Sequence, residues 1–183
     1  MRLSVLVLAP FLLAGCVTSK LPPLTGFVPQ STGSALGSEP APLAFTVKRY
    51  PGGEPHDIAG DRGSVVLLDV WATWCEPCRD ALPMYQDLAK HYRAQGLRVY
   101  ALNVDEDSRA IAPFLAQTKV DLPVLVDANA EVAEKVLRVR GMPTTVLLDR
   151  QGRIRYVHEG FGEEYLARYQ SEIEELLAEP LQK

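Results

Sequence analysis

The stretch VVLLDVWATWCEPCRDALP, residues 65–83, determines how the rest of this chain is interpreted. Residues 64–71 form a continuous apolar run that contains one carboxylate, Asp69. Such a run is typical of a central strand that is covered on both faces. Cys75 and Cys78 follow, and the pattern from Cys75 to about Gln95 predicts a helix with Pro77 in its first turn, where proline is tolerated. The cysteine pair is therefore expected where a strand passes into a helix.

A Cys-x-x-C pair at this position meets the requirements of thiol-disulfide chemistry. The attacking group is a thiolate, so the first cysteine must be acidified and close to a resolving partner. At a helix N-terminus, unpaired backbone N–H groups and the helix dipole favour the negative charge of Cys75. Cys78 lies on the same side of the first turn and can close the disulfide. We expect Trp74 to shield the junction and Glu76 to oppose thiolate formation, which makes the thiol less acidic than in a strongly oxidising enzyme.

Alternatively, such a cysteine pair could supply half of the ligands of a metal site. Structural zinc usually requires four Cys or His ligands, commonly with a second cysteine pair. The chain has three cysteines and no second Cys-x-x-C, and His56, His91 and His158 occur singly. His56 and His158 fall in predicted loop or strand surface, where we expect them to be exposed. We therefore predict no metal site.

The bulk composition restricts the class of protein. The chain has 183 residues, 47% hydrophobic and 23% charged, which suits one compact domain with an appendage. A net charge of −4 offers no basic surface for nucleic acid. Three cysteines are too few and too close together for a disulfide-stapled scaffold.

The N-terminus has the features of an export signal. Arg2 precedes an almost unbroken apolar stretch, residues 3–13, which is too short to span a bilayer and fits a secretory signal. The sequence LAGC at residues 13–16 resembles the lipobox of bacterial lipoproteins, in which the cysteine is acylated. We predict a signal peptide over residues 1–15 and lipidation of Cys16; an ordinary secretory signal with an incidental cysteine is the alternative.

A linker and a single domain follow the predicted anchor. Residues 17–40 hold four prolines, three glycines, four serines and three threonines, a composition typical of a flexible tether. A random coil of that length spans about 25–30 Å. We assign residues 16–40 to the lipidated cysteine and linker, and residues 41–183 to the globular domain.

Strand and helix patterns alternate along this domain. After the strand at 64–71 and the helix that begins at Cys75, further strands are predicted at 97–104 and 122–127, a hairpin at 144–160, and helices at 108–117, 130–139 and 163–177. A short N-terminal strand is expected at 43–47, and the turn-rich segment after it is interpreted as loops. The acidic run near the C-terminus is expected to be a solvated helix face. The predicted class is α/β, a mixed central sheet sandwiched by helices with an N-terminal extension strand.

Two motifs together resemble a known family. VVLLDVWATWCEPC, with GMPTTVLLDRQGRI at residues 141–154, is similar to the thioredoxin superfamily, specifically the exported TlpA/ResA-type thiol-disulfide oxidoreductases. The resemblance extends from about residue 41 to 178 and implies a thioredoxin-like fold with Cys75 and Cys78 in the active site. It also implies a cis bond at Pro143 that turns the backbone of Met142 toward an incoming substrate chain.

The sequence departs from the family pattern at one site position. TlpA/ResA-type proteins often carry a glutamate three residues after the second cysteine, where this chain has Ala81. Conversely, Asp69 matches a buried aspartate of cytoplasmic thioredoxins. Because a carboxylate in a covered strand is costly unless it is protonated or paired, Asp69 requires an explanation. Our hypothesis is that it is the general base for Cys78; the alternative is a structural aspartate near the strand end or at an exposed sheet edge.

The predicted function is a thiol-disulfide oxidoreductase that is lipid-anchored on the periplasmic side of a bacterial membrane. Cys75 would attack client disulfides and Cys78 would resolve the mixed disulfide, with no cofactor beyond this cysteine pair. The resemblance implies a reductant, for example in cytochrome c maturation, that receives electrons from a membrane thiol donor. The alternatives are an oxidant of the same fold and a non-catalytic Cu(I) metallochaperone.

Overall fold

The computed structural model describes residues 40–162 and 165–180. Its strands and helices are β1 (Thr46–Tyr50), β2 (Pro55–Asp57), β3 (Val65–Trp71), α1 (Glu76–Tyr92), β4 (Leu97–Asn103), α2 (Ile111–Thr118), β5 (Val124–Val126), β6 (Thr144–Leu148), β7 (Ile154–Glu159) and α3 (Tyr165–Ala178). Short 3₁₀ turns at Ile58–Asp61, Arg93–Gln95 and Ser108–Ala110 and a π-helical turn at Val132–Val136 complete these elements.

The predicted export signal and anchor cannot be compared with the structure. The signal peptide over residues 1–15, Cys16 and the linker up to residue 39 lie outside the described residues. In the part of the chain that is described, no helix has both the length and the apolar character that crossing a membrane requires.

The strands form one mixed sheet in the order β2-β1-β5-β4-β3-β6-β7. Strand β3 is near its centre, parallel to β4 on one side and antiparallel to β6 on the other. Every residue of β3 is buried, which agrees with the continuous apolar run in the sequence. The predicted mixed α/β sheet with an N-terminal extension strand is confirmed.

Alternate residues of β3 point to opposite faces of the sheet. On one face Val65, Leu67 and Trp71 share a core cluster with buried residues of α1, α2 and α3. On the other face Val66, Leu68 and Val70 pack with residues of β4, β6, the π-helical turn and the N-terminal segment. Since Asp69 has the parity of Leu67 and Trp71, its side chain is on the face that α1 covers.

Helix α1 begins and ends as its sequence suggests. Cys75 is its N-cap residue and Pro77 lies in its first turn, where the missing N–H is no loss. Buried side chains recur at helical spacing along one face: Cys78, Ala81, Leu82, Tyr85, Leu88 and Tyr92. After a 3₁₀ turn the chain reverses at Gly96, whose φ of 105° favours glycine.

Two predicted elements differ from the structure. The helix expected at 130–139 is reduced to the π-helical turn, because Ala130 and Arg138 take left-handed φ values of 53° and 56° that end the segment on both sides. The N-terminal strand begins at Thr46 rather than residue 43, and β2 lies in the segment that was interpreted as loop. These two strands form a hairpin turned by Gly52 and Gly53, both at positive φ.

The prediction that His56 and His158 are exposed is wrong. Both side chains are buried, and each lies beside a buried carboxylate: His56 Nε2 is 2.9 Å from Asp61 Oδ2, and His158 Nε2 is 2.6 Å from Glu172 Oε2. Buried polar groups require such partners, which the sequence places five and fourteen residues away. Glu172 belongs to the acidic run expected to be a solvated face, so that expectation fails at this residue.

Candidate active site

Cys75 and Cys78 form a disulfide at the start of α1, with Cα atoms 5.3 Å apart. Strand β3 ends at Trp71, and the loop of residues 72–74 delivers Cys75 to the N-cap position. The Cys75 N–H donates to the carbonyl of Ala72 at 3.1 Å, and the Cys78 N–H donates to the carbonyl of Cys75 at 3.2 Å. The strand-to-helix junction predicted for the pair is therefore present.

The two cysteines differ in exposure. Cys78 is fully buried on the inner face of α1, whereas Cys75 retains 5% of its surface. Of the two cysteines, only Cys75 has surface that a client disulfide could contact. The geometry thus favours Cys75 as the attacking residue and Cys78 as its internal partner.

The prediction that Trp74 shields the junction is wrong. Its side chain is 71% exposed, while Trp71 is fully buried and packs on Phe114 with ring centroids 4.9 Å apart. Because Trp71 ends β3 on the core-facing side and already fills that space, Trp74 is left at the surface beside Cys75. An exposed aromatic ring there offers contact area to a partner chain.

Asp105, at the end of β4, holds the loop that precedes Cys75. Its carboxylate accepts hydrogen bonds from the Thr73 N–H at 3.0 Å, from Thr73 Oγ1 at 3.1 Å and from Asn103 Nδ2 at 2.8 Å. Asp105 is buried, so its bond with Asn103 is protected from water, and its bonds with the half-buried Thr73 are partly protected. Nothing in the local sequence around Cys75 indicated this residue, which is 32 positions away from Thr73.

Glu76 projects into solvent between the two cysteines. Its side chain is 87% exposed and its Oε2 lies 3.9 Å from Nε of Arg79. Arg79 in turn stacks over the ring of Phe114 at 4.8 Å. A solvated carboxylate near a fixed cation has only a modest influence on a neighbouring thiolate.

Met142 and Pro143 lie at the same end of the sheet as the disulfide. The bond between them is cis, as the family resemblance implied. Pro143 directly precedes Thr144, which is paired with Val70 near the end of β3, the strand that leads to Cys75. The Pro143 carbonyl accepts from the Gly160 N–H at 2.8 Å, which fixes this loop to the end of β7.

A small apolar cleft of about 160 Å³ opens beside Met142. It lies between the end of β3, the π-helical turn and the loop before Pro143, and Glu134 and Arg140 contribute charged groups to its lining. Its apolar lining consists mainly of Val70, Val104, Ala130, Ala133, Val139 and Met142. The cleft has the apolar character expected of a binding site for a side chain of another molecule.

Asp69 is 1% exposed in the middle of β3, which excludes the exposed sheet edge considered from the sequence. Its Oδ1 accepts a hydrogen bond from Thr145 Oγ1, directly opposite on β6, at 3.1 Å. Its Oδ2 is buried and has no hydrogen-bond partner among residues 40–162 and 165–180. Two hydroxyls from α1 and α3, those of Tyr85 and Tyr169, lie 2.6 and 3.0 Å from Thr145 Oγ1.

Burial raises the pKa of Asp69 well above its ordinary value, and the hydroxyls of Thr145 and Tyr85 offset part of that rise. The pKa of Tyr85 is also raised well above its usual value, first by burial and then by the charge of Asp69. The tyrosine hydroxyl therefore remains a proton donor throughout the physiological range. A carboxyl group whose ionisation is suppressed by burial is a candidate for proton transfer.

In the described ranges 40–162 and 165–180, no three His, Cys, Asp or Glu side chains converge on a point that could hold a metal ion. The site residues that the sequence did not indicate are Asp105, Tyr85, Thr145 and Tyr169. Tyr85 and Tyr169 are core residues of α1 and α3, and their contact with Thr145, the partner of Asp69, exists only in three dimensions.

Comparison with known proteins agrees with this geometry. A model of the AhpC/TSA family matches residues 38–157. The chain belongs to this family. Within this family the chain is of the TlpA/ResA type, because proteins named thiol-disulfide oxidoreductase ResA are among its relatives. The protein from Geobacillus thermodenitrificans is 31% identical over 73% of this chain and 75% of its own length, and that from Geobacillus kaustophilus is 29% identical over 74% and 76%.

A solved structure extends the similarity to the fold. The protein from Chlorobium tepidum, assigned as a thiol:disulfide interchange protein DsbE, superposes with a TM-score of 0.71 at 30% identity. The match covers 79% of this chain and all of that one. The predictions of a thioredoxin-like fold and of a thiol-disulfide oxidoreductase of the TlpA/ResA type are confirmed.

Proposed function

We propose that this thiol-disulfide oxidoreductase reduces disulfides of client proteins outside the cytoplasm, with Cys75 as nucleophile and Cys78 as resolving residue. The observation that carries the proposal is the disulfide at the start of α1, in which Cys75 is at the N-cap and Cys78 is fully buried. The asymmetry in exposure supports two different roles for two chemically identical groups.

The proposed reaction has two steps. The Cys75 thiolate attacks one sulfur of the client disulfide, a Cys75–client bond forms, and the other client sulfur leaves as a thiolate. Cys78 then loses its proton to Asp69 and attacks the sulfur of Cys75. The mixed disulfide breaks, the Cys75–Cys78 bond forms, and the second client sulfur leaves with the electron pair. Two electrons have passed from the enzyme dithiol to the client, so no cofactor is required beyond the cysteine pair.

Client binding is proposed at Met142, Pro143 and Trp74. The backbone of Met142, beside the cis-proline, would pair with an extended client segment in the manner of an added strand. A side chain of that segment would enter the apolar cleft beside Met142, and the exposed ring of Trp74 would cover the segment from the other side. Cytochrome c maturation is one process that such a reductase would serve.

The sequence supports a membrane-tethered location. The lipobox-like LAGC and the linker up to residue 40 would hold the domain close to a bacterial membrane on its periplasmic side, anchored by lipid on Cys16. An exported reductant must be re-reduced, and a membrane thiol donor would supply the electrons. Changing Cys16 to Ser should release the protein from the membrane fraction, and retention of that variant would contradict lipid anchoring.

The direction of electron flow follows from the reduction potential. Proteins of this kind range from about −270 to −120 mV. We expect a value below about −150 mV, which favours a reductant; a higher value would instead favour an oxidant that installs disulfides.

Clients can be captured in cells with Cys78→Ser, which should stall the mixed disulfide on Cys75. The double variant Cys75→Ser/Cys78→Ser is the matched control, because it keeps the fold and the anchor but lacks the nucleophile. We expect disulfide-linked partners in the single variant and none in the double. Recovery of the same partners from both, or of none from either, would contradict the proposal.

A further inference from the structure

Three hydroxyl side chains from three different elements meet at Asp69. Thr145 of β6 donates from Oγ1 to Asp69 Oδ1 at 3.1 Å. The hydroxyl oxygen of Tyr85 from α1 is 2.6 Å from Thr145 Oγ1, that of Tyr169 from α3 is 3.0 Å from it, and the two tyrosine oxygens are 3.2 Å apart. All three residues are buried. We refer to Tyr85, Thr145 and Tyr169 as the hydroxyl cluster.

The number of available protons determines which group of the cluster donates and which accepts. A threonine hydroxyl has one proton to donate and two lone pairs that accept. Since Thr145 gives its proton to Asp69, its oxygen can accept from both tyrosines, and Tyr169 is placed as such a donor. The cluster therefore presents a hydrogen-bond donor to Oδ1, and such a donor favours the ionised carboxylate over the protonated carboxyl.

The groups around Asp69 come from β6, α1 and α3. Its Oδ1 is held by a hydroxyl and not by a lysine or arginine. Tyr85 and Cys78 of α1 and Tyr169 of α3 belong to the core cluster on the side of the sheet to which Asp69 points. Behind Tyr169 are His158 of β7, with ring centroids 5.0 Å apart, and Glu172 of α3, which is paired with His158.

We propose that the hydroxyl cluster is a positioning device for the resolving step: its donor at Oδ1 fixes the Asp69 carboxyl and stabilises the ionised form against the effect of burial, which leaves Oδ2 to receive the proton of Cys78. The proposal deepens the proposed function and rests on it, since it presupposes that Asp69 accepts that proton. Oδ2 suits the role because it is buried, without a partner in the described part of the chain, and on the sheet face that packs against α1.

Removing the Thr145 hydroxyl should change how readily Asp69 ionises. Burial opposes the charge on Asp69 and the hydroxyls of Thr145 and Tyr85 lower its pKa from the level that burial alone would set. Without the Thr145 hydroxyl, a smaller fraction of Asp69 is ionised at neutral pH, and Cys78 loses its proton acceptor. Resolution of the mixed disulfide should slow, and its rise with pH should move to higher pH.

The first test is Thr145→Val, which keeps the branched shape and removes the hydroxyl, compared with Thr145→Ser, which keeps the hydroxyl. Reduced protein is mixed with an aromatic disulfide whose two thiols are coloured when released; the first release reports attack by Cys75 and the second reports resolution. We expect the second phase of Thr145→Val to slow by about tenfold at neutral pH, with the first phase unchanged. Thr145→Ser should retain the wild-type pH profile, and Tyr85→Phe should show a smaller slowing. A second phase of Thr145→Val that matches wild type at every pH would overturn the proposal.

The second test measures Asp69 itself. The carboxyl carbon of Asp69, isotope-labelled and followed by NMR in the reduced protein, should titrate at higher pH in Thr145→Val than in wild type or Thr145→Ser. An unchanged titration in Thr145→Val would overturn the role of the cluster whatever Asp69 does in the reaction. If Thr145→Val does not fold, Tyr85→Phe undergoes the same titration with the same expectation.

A double variant separates this inference from the function on which it rests. If Asp69→Asn resolves mixed disulfides normally, the base role of Asp69 fails, while the titration still tests the cluster. If Asp69→Asn is slow, Thr145→Val in that background should cause no further slowing, because the group that the cluster serves is gone. A further tenfold loss in the double variant would contradict action through Asp69.

Discussion

Asp69 shows how far a single residue can be interpreted from its neighbours in sequence. The apolar run around it predicted its burial, because a polar residue at a core-facing position of a covered strand has no route to water. Its partners could not be predicted in the same way, since Thr145 is 76 residues away and becomes its neighbour only through the register of β3 with β6. The same holds for Tyr85 and Tyr169, which reach Thr145 from α1 and α3 only in the folded chain.

Asp69→Asn should change how stability depends on pH. The pKa of Asp69 is raised in the folded protein by burial, so folding favours the protonated carboxyl. Its contribution is therefore fully present below the ordinary pKa of about 3.9, and it is lost as pH rises through the higher folded pKa. Asparagine cannot ionise, so the Tm of Asp69→Asn should exceed that of wild type increasingly across this window, by about 2–4 °C for each kcal/mol involved.

Asp87→Asn is the matched control for this experiment, because Asp87 is an exposed aspartate on α1. Its Tm should follow wild type at every pH within about 1 °C, as expected for a surface substitution. A Tm difference between Asp69→Asn and wild type that is constant with pH would contradict a raised folded pKa for Asp69.

Glu76→Gln should shift the redox balance of the cysteine pair slightly. Removing a negative charge beside Cys75 stabilises its thiolate and therefore the reduced form, so the reduction potential should rise. Because Glu76 is solvated and lies near Arg79, we expect a rise of no more than about 20 mV, measured against a glutathione redox buffer. Asp80→Asn, an exposed change on the same helix, should leave the potential within about 5 mV. A fall in potential for Glu76→Gln would contradict the role assigned to its charge.

At the scale of elements, the strongly patterned segments were predictable and the weakly patterned ones were not. Strand β3, helix α1 and the hairpin of β6 and β7 have long apolar periodicities and clear turn signals, and they occur where the sequence placed them. The segment at 130–139 has helical spacing, but left-handed residues at Ala130 and Arg138 restrict it to one π-helical turn. Hydrophobic periodicity carries no information on such single-residue backbone conformations.

Asp105→Ala tests whether the loop before Cys75 is held by the end of β4. The substitution leaves the Thr73 N–H and the Asn103 amide without their acceptor in a protected environment. We expect the free energy of unfolding in urea to fall by about 2–4 kcal/mol, since each buried unpaired group costs about 1–3 kcal/mol. The attack of Cys75 on a model disulfide should also slow, because the N-cap position is no longer fixed.

The adjacent Glu106→Ala serves as the control for Asp105→Ala, because Glu106 is exposed. Its unfolding free energy should stay within about 0.5 kcal/mol of wild type. If Asp105→Ala is equally stable and attacks equally fast, the loop owes its position to other contacts.

At the scale of the whole molecule, the order of strands and helices was sufficient to predict a mixed sheet covered by helices, and the resemblance of two motifs implied the thioredoxin type. What the order did not contain is the polar interior that joins distant parts of the chain. Asp61, buried at the opposite end of β3 from the disulfide, binds His56 of β2 and Arg98 and Tyr100 of β4, at 2.7–3.0 Å. This cluster fastens the N-terminal hairpin to the sheet. His56 and Asp61 occur in the segment interpreted as loop, whereas Arg98 and Tyr100 occur in a predicted strand.

The sheet topology brings the residues of the proposed site together at one end of β3. Cys75 follows this strand through a short loop, Asp105 follows its parallel neighbour β4, and Pro143 precedes its antiparallel neighbour β6. Three segments that are far apart in sequence therefore meet beside the disulfide because of strand direction alone. The rigid sheet fixes the geometry, and the proposed disulfide exchange takes place at the first turn of α1.

The central claim is that Cys75 attacks and Cys78 resolves, and adduct formation in vitro tests it most directly. Reduced Cys78→Ser and reduced Cys75→Ser are each mixed with the same disulfide peptide, and the adducts are located by mass spectrometry. We predict a stable adduct on Cys75 in Cys78→Ser and almost none in Cys75→Ser, because Cys78 is fully buried. Wild type should accumulate no adduct and should end as the Cys75–Cys78 disulfide. Adduct formation on Cys78 in Cys75→Ser as fast as on Cys75 in Cys78→Ser would contradict the account.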